Sequence, residues 1–167
     1  MSHLNIELLT SSHERGSFRC GEPTLDRYLT TQATQDMRRN IAKCYVVIDE
    51  STNAITAFYT LAATGFPVEE LPPALIKTLP RYPVVPAVRI GRLAVDQRFQ
   101  GKKLGAALIA DAVIRTRDAA PAAFAIVVDA KDEKASAFYR HHVFIPFKNQ
   151  ALTLFLPLET ALRAMRA

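Results

Sequence analysis

Arg89-Ile90-Gly91-Arg92-Leu93-Ala94-Val95-Asp96-Gln97-Arg98-Phe99-Gln100-Gly101-Lys102-Lys103-Leu104-Gly105-Ala106-Ala107-Leu108 is the stretch that decides the fold. Ile90 to Val95 is an apolar, strand-like run, and Asp96 to Gly105 is a polar loop containing Gly101 and Gly105. From Leu104 a helical pattern begins, with Leu104, Leu108 and Ala112 recurring every four residues. Strand, glycine loop and helix start together make an anion-binding device. The first N–H groups of a helix have no intrahelical partner, and the helix dipole favours negative charge beside them. Glycine lets the backbone approach a phosphate closely.

Downstream, Ala125-Ile126-Val127-Val128-Asp129 is β-rich and apolar, as a central strand requires. Asp132 to Arg140 reads as a helix, Val143–Phe147 and Leu152–Leu156 as a last pair of strands, and Pro157 as the start of an amphipathic helix reaching about Met165. Within the first helix, running to about Arg117, Asp111 and Arg115 form an i,i+4 pair on the exposed face. Upstream, Ile6–Leu9 is a short strand, and Phe18–Pro23 leads into a helix whose Leu25, Tyr28 and Leu29 share a face, continuing through Ala33 to about Arg39. Cys44–Ile48 and Ile55–Leu61 flank the polar turn Asp49–Asn53 as an antiparallel hairpin. Glu69–Leu79 is a short helix interrupted by Pro72-Pro73, and Leu79–Pro86 is extended and proline-punctuated. This order predicts an α/β (α+β) fold with a mixed sheet in one domain over residues 1–167, rather than a doubly wound one.

The 167 residues carry 21 Lys plus Arg against 16 Asp plus Glu, a net charge of +5. That balance suits a polyanionic partner, whether a phosphate-rich cofactor, a nucleic acid or an acidic protein, and equally a merely solubilising surface. Cys20 and Cys44 form no CxxC, and the histidines, with His141 and His142 adjacent, make no metal site. No apolar run approaches the roughly 20 residues of a membrane span. Met1–Asn5 lacks the regions of a signal peptide, so a reducing, cytoplasmic setting is expected.

Gln100–Gly105 has neither the GxxxxGK[ST] spacing of a P-loop nor the GxGxxG of a dinucleotide fold. It resembles the acyl-CoA loop of the GCN5-related N-acetyltransferases, Q/R-x-x-G-x-G/A, with Lys103 where the middle glycine is expected. A positive φ there would cost a non-glycine residue roughly 1 kcal/mol. Leu93-Ala94-Val95 resembles that family's pantetheine-pairing strand, and Ala135-Ser136-Ala137-Phe138-Tyr139 its A-x-x-F-Y helix. Phe144 follows as in FYxxxGF, with Val143 replacing the glycine. The resemblance implies a mostly antiparallel sheet with splayed central parallel strands, flanked by helices. It also implies acetyl-CoA held by Leu93, Ala94, Val95, Gln100, Gly101, Lys102, Lys103, Leu104, Gly105, Ala106, Ser136 and Phe138, with Tyr139 as general acid and no metal.

A narrower resemblance spans nearly the whole chain. Phe18-x-Cys20-Gly21, Leu25-Asp26-x-Tyr28-Leu29, Gln35-Asp36, Phe58-Tyr59-Thr60-Leu61, Pro83-x-x-Pro86, Gly91-Arg92-Leu93-Ala94-Val95-Asp96 and Leu156-Pro157-Leu158 are similar to the acetyltransferase toxins of bacterial toxin–antitoxin pairs. This implies acetylation of the α-amine on aminoacyl-tRNA, a ribbon-helix-helix antitoxin and a homodimer. Phosphate contacts would then fall to Arg92, Arg89, Arg81, Arg38, Arg39 and Lys43. A neutral tyrosine can give its proton to a departing thiolate. A strand N–H around Leu93–Val95 can stabilise the oxyanion, and an α-amine titrating near 7.7–8.0 needs no strong protein base. Two alternatives stay open: acetylation of a small amine or protein N-terminus, and a non-catalytic CoA- or nucleic-acid-binding module.

Overall fold

A computed structural model describes residues 4–166; the stretch Met1–His3, read above for a leader, lies outside them. Across the sheet the strands follow in the order β1 (Asn5–Leu8), β2 (Lys43–Asp49), β3 (Ala54–Pro67), β4 (Val84–Val95), β5 (Ala125–Asp129), β7 (Thr153–Pro157) and β6 (Ile145–Pro146). The chain divides into two compact units, the first running up to Ala62 and taking in Gly91–Ala112, the second made of Ala63–Ile90 and the chain from Val113 onward.

In the first unit, β1 (Asn5–Leu8) pairs antiparallel with β2 (Lys43–Asp49), and β2 with β3 (Ala54–Pro67). The hairpin closes through Asn53, whose φ of 59° brings its N–H within 2.7 Å of the Asp49 carbonyl. Asparagine tolerates that left-handed geometry well. Pro23 opens α1 (Pro23–Arg27), where its missing N–H costs nothing. A π-helical turn, Tyr28–Gln32, follows, and then α2 (Ala33–Arg38). This helical segment buries Tyr28, Leu29 and Ala33 against Phe18, Val46, Ile55 and Phe58. Phe18 meets Phe58 edge-on at 5.4 Å between ring centres.

In the second unit, α3 (Pro73–Ile76) precedes the first part of β4 (Val84–Val95), whose residues from Gly91 on belong to the first unit. β4 runs parallel to β5 (Ala125–Asp129), from Ala87 opposite Ala125 to Ile90 opposite Val128. That ladder includes no residue of β4 beyond Ile90. α4 (Leu104–Asp118) and α5 (Glu133–His141) bracket β5 in sequence. β6 (Ile145–Pro146) and β7 (Thr153–Pro157) follow, β7 lying antiparallel between β5 and β6, and α6 (Leu158–Arg166) ends the chain. Phe66, Leu71, Val85, Ala87, Val127, Phe147 and Phe155 form this unit's core. Glu70, 8% exposed, accepts the Asn149 N–H and tethers the loop before β7.

The expected mixed sheet with helices is present, and several local expectations are corrected. The helix expected over Glu69–Leu79 shrinks to a 3-10 turn, Val68–Glu70, and the single turn of α3, because Pro72 takes an extended ψ of 143°. The proline-punctuated stretch enters β4 six residues before Ile90, at Val84. The strand expected over Val143–Phe147 is only β6, because Val143 is used in ending α5. Asp111 is half-buried rather than on an open face and accepts a 2.6 Å hydrogen bond from the Tyr59 hydroxyl.

α4 buries Leu108, Ile109, Ala112 and Val113, and with them Thr116, whose Oγ1 finds no hydrogen-bond partner among the described residues. A buried hydroxyl without a partner carries its full desolvation cost. Thr116→Val is therefore expected to raise stability by about 1 kcal/mol, read as a higher urea midpoint at unchanged m-value; a lower midpoint contradicts it.

Candidate active site

The strand-to-helix device is built in the first unit around Asp96, which is 1% exposed. Its carboxylate accepts the Arg19 N–H at 3.0 Å and the Arg98 N–H at 2.9 Å, and takes the Arg98 guanidinium as a fork at 3.0 and 3.1 Å. Burial pushes the carboxyl pKa up, but the Arg98 fork and the two N–H donors outweigh it and hold the group below the usual aspartate range. The Gln100 side chain donates to the carbonyls of Cys20 and Val95, at 3.1 and 3.0 Å. Gln100 thus ties the Phe18–Gly21 loop to the end of β4, and its amide is occupied by protein rather than turned to an anion. Gly21 sits at φ +97°, a backbone angle that strains any side-chain-bearing residue, while the nearby Gln97 amide could swing aside.

The loop turns back through two left-handed residues, Gly101 at φ 80° and Lys103 at φ 62°. Lys103, the departure from the glycine pattern, therefore adopts the backbone that a glycine would. The backbone ladder of α4 opens with the Ala107 N–H on the Lys103 carbonyl at 3.2 Å, so the N–H groups of its first turn have no intrahelical partner. A run of free donors at the positive end of α4, with the exposed Lys102 and Lys103 beside it, fits a pyrophosphate. Leu104 is buried and forms the helix's inner anchor, while Gly105 and Ala106 are half-buried. On β4, Leu93 and Val95 are half-buried and Ala94 is buried in the first unit's core. Close by, the Arg92 N–H is taken by Thr60 Oγ1 at 3.1 Å, and a Cβ on Gly91 would stand 3.1 Å from the same oxygen.

In the second unit, Asp132 caps α5 by accepting the Ala135 N–H at 2.8 Å. Ser136 and Tyr139, three residues apart, share the buried face at 2% and 9% exposure, whereas Phe138 is half-buried, edge-on to His142 at 4.8 Å. The helix ends in a Schellman motif: Phe144 N–H to the Tyr139 carbonyl at 3.1 Å and Val143 N–H to the Arg140 carbonyl at 3.0 Å. Tyr139 and Phe144 close it with rings 5.4 Å apart. Val143 occupies the left-handed position at φ 64°, where glycine is the usual choice. Burial pushes the Tyr139 phenol up to about 12, so it keeps its proton at neutral pH.

The six basic candidates do not behave alike. In the first unit, Arg38 and Arg39 at the end of α2 and Lys43 at the start of β2 are exposed, whereas the Arg92 guanidinium lies 3.7 Å from the centre of the Tyr28 ring. Tyr28 in turn donates to Asp36 at 2.8 Å. In the second unit, Arg89 is paired with Asp129, and Arg81 is exposed. Asp96 and Arg98 carried no assigned role in the sequence; the Asp-x-Arg spacing at a strand end was their one signal.

Two measurements test this geometry. Lys103→Gly and Val143→Gly each remove a left-handed penalty, and each is expected to raise stability by about 0.5–1 kcal/mol after the glycine's larger unfolded-chain entropy is subtracted. Unchanged or lower denaturation midpoints would contradict the strain. Because the folded pKa of Asp96 is depressed, its contribution is present above the unfolded value of about 3.9 and lost as pH falls through the folded one. Asp96→Asn is expected to flatten the loss of stability below about pH 4; a denaturation profile as steep as wild type would contradict it.

Residues 80–152 match the acetyltransferase (GNAT) domain family. The tRNA-acetylating toxin of Mycobacterium tuberculosis (strain ATCC 25618 / H37Rv) is 33% identical over 147 residues, 87% of this chain and 86% of that protein. The AtaT toxin complexed with acetyl-methionyl-tRNAfMet superposes with a TM-score of 0.89 at 31% identity, over 99% of this chain and 100% of that one. A tyrosine-to-phenylalanine mutant of AtaT, bound to the C-terminus of the antitoxin AtaR and to acetyl-CoA, gives a TM-score of 0.80 at 28% identity, over 98% of this chain and 99% of that one. The free N–H row after Asp96, the tyrosine-bearing helix and these likenesses lead to one assignment: the chain belongs to the GNAT acetyltransferases, alongside the tRNA-acetylating toxins.

Proposed function

We propose that the protein is an acetyl-CoA-dependent N-acetyltransferase that acetylates the α-amine of the aminoacyl group on charged tRNA and so blocks translation. The observation that carries this reading is the near full-length likeness to AtaT, a toxin seen with acetylated methionyl-tRNA. Residues 1–167 act as one catalytic domain, as the toxin of a toxin–antitoxin pair. By analogy with the AtaR-bound relative, a small antitoxin, of ribbon-helix-helix type on the sequence resemblance, restrains it. A homodimer and a cytoplasmic location belong to the same reading; no helix among the described residues is long and apolar enough to cross a membrane.

Acetyl-CoA supplies an acetyl group activated as a thioester. The N–H groups of Gly101–Ala106 at the start of α4, with Lys102 and Lys103, hold its pyrophosphate, and β4 over Leu93–Val95 aligns its pantetheine arm. Ser136 and Phe138 help to line the position. The acceptor amine forms the new C–N bond as the C–S bond breaks. Tyr139, protonated throughout the physiological range, would give its proton to the thiolate and regain one from solvent, into which the amine's proton is released. A backbone N–H of β4 near Leu93–Val95 meets the negative charge growing on the carbonyl oxygen.

Incubation with labelled acetyl-CoA and charged tRNA is expected to label the aminoacyl α-amine. Tyr139→Phe should lower kcat by about 10²–10⁴-fold with KM for acetyl-CoA little changed. A second reading, acetylation of a small amine or protein N-terminus, is favoured by the internal engagement of Arg89 with Asp129 and of Arg92 with Tyr28. Labelling of small amines with none on any charged tRNA decides for that reading. Undiminished growth arrest by Tyr139→Phe would mean that this tyrosine is not the source of the activity.

A further inference from the structure

Tyr82 is the one aromatic side chain among the strongly exposed apolar residues of the described chain, at 69% exposure, against 6% for Tyr28, 0% for Tyr59 and 9% for Tyr139. Its neighbour Arg81 is also exposed, and neither side chain meets a partner among the described residues. The turn that presents them is stiff. Pro80 and Pro83 fix φ on either side, and the Tyr82 N–H reaches back to the Pro80 carbonyl at 2.8 Å. The Pro83 carbonyl accepts the Val68 N–H at 3.1 Å, and the Pro86 carbonyl accepts the Phe124 N–H at 2.8 Å. Just beyond, Val84 packs so closely on Gly65 that a Cβ there would lie 2.8 Å from Val84 Cγ1. Lys77 and Arg81 lie exposed on this stretch, and the exposed Glu69 follows Val68, whose N–H meets the Pro83 carbonyl, so the turn carries both signs of charge.

We infer that Arg81 and Tyr82 form a docking site for an unpaired RNA nucleotide, the ring stacking on the base and the guanidinium holding an adjoining phosphate. A bare aromatic face next to an unpaired cation is what single-stranded nucleic acid uses. Because the backbone is already held, little ordering entropy is lost on binding. The inference rests on the reading of charged tRNA as acceptor, whose aminoacyl group sits on an unpaired 3′ end, and it names a contact that brings that end to the protein.

The test is equilibrium binding of uncharged tRNA, and of a short RNA with an unpaired 3′ tail, to wild type, Tyr82→Ala, Tyr82→Phe and Arg81→Ala, with acetylation of charged tRNA measured in parallel. Tyr82→Ala is expected to weaken binding about 5- to 100-fold, with Tyr82→Phe close to wild type because the ring is retained. Arg81→Ala should weaken binding and reduce the salt slope by about one. Wild type that acetylates charged tRNA while Tyr82→Ala binds as tightly overturns the docking site and leaves the transferase reading intact. Tyr82-dependent RNA binding with no acetylation of any charged tRNA supports the site and overturns the transferase reading. No RNA binding by wild type overturns the inference outright.

Discussion

The geometry of the corner between β4 and α4 depends on one carboxylate that cannot reach water. Asp96 is satisfied only when the Arg19 N–H, the Arg98 N–H and the Arg98 guanidinium converge on it. That convergence fixes where β4 stops and which residue begins the turn. Gln100 then secures the same junction from the other side through Cys20 and Val95. Only with this corner set do the N–H groups after Gly101 stand in a row at the start of α4. The Arg98 guanidinium is itself 57% exposed, so solvent screens that arm of the pair, but loss of the N–H donors would leave a buried carboxylate unsatisfied. Loop shape and domain stability are therefore coupled through one side chain.

Against that anchor stand two residues that work against the fold locally. Lys103 and Val143 each hold a backbone angle that glycine adopts freely. One lies in the loop before α4 and the other in the cap that packs Tyr139 on Phe144. On the function proposed above, the lysine offers a compensation, a charge for the pyrophosphate. For the valine, 54% exposed and β-branched, no compensating contact is visible.

Much of the fold was legible because its signals are local. The four-residue spacing of Leu104, Leu108 and Ala112, the unbroken apolar run of β5 and the proline at the start of α1 each dictate an element without reference to the rest of the chain. What was not legible depends on distant partners. The half-burial of Asp111 follows from Tyr59, more than fifty residues away in the chain, and the shortness of β6 follows from Val143 ending the preceding helix. The stretch before β4 was readable as extended, but the strand's start was not: prolines interrupt the pattern, yet Pro86 lies within the strand, its carbonyl accepting from Phe124. In the candidate site, glycine spacing and the Phe-Tyr pair were readable as a family pattern. The internal partners of Arg89 and Arg92 were not, because cation pairing leaves no trace in one-dimensional spacing.

The π-helical turn at Tyr28–Gln32 carries one residue more than an α-helix would use over the same rise. Deleting a single residue there would restore regular helix and leave Asp36, Arg38 and Arg39 facing as they do, because five π-helical residues wind about as far as four α-helical ones. The same deletion made in the regular turns on either side would rotate everything beyond it by about 100°. The irregularity therefore acts as a buffer, the one place in this helix where a change of length is absorbed locally.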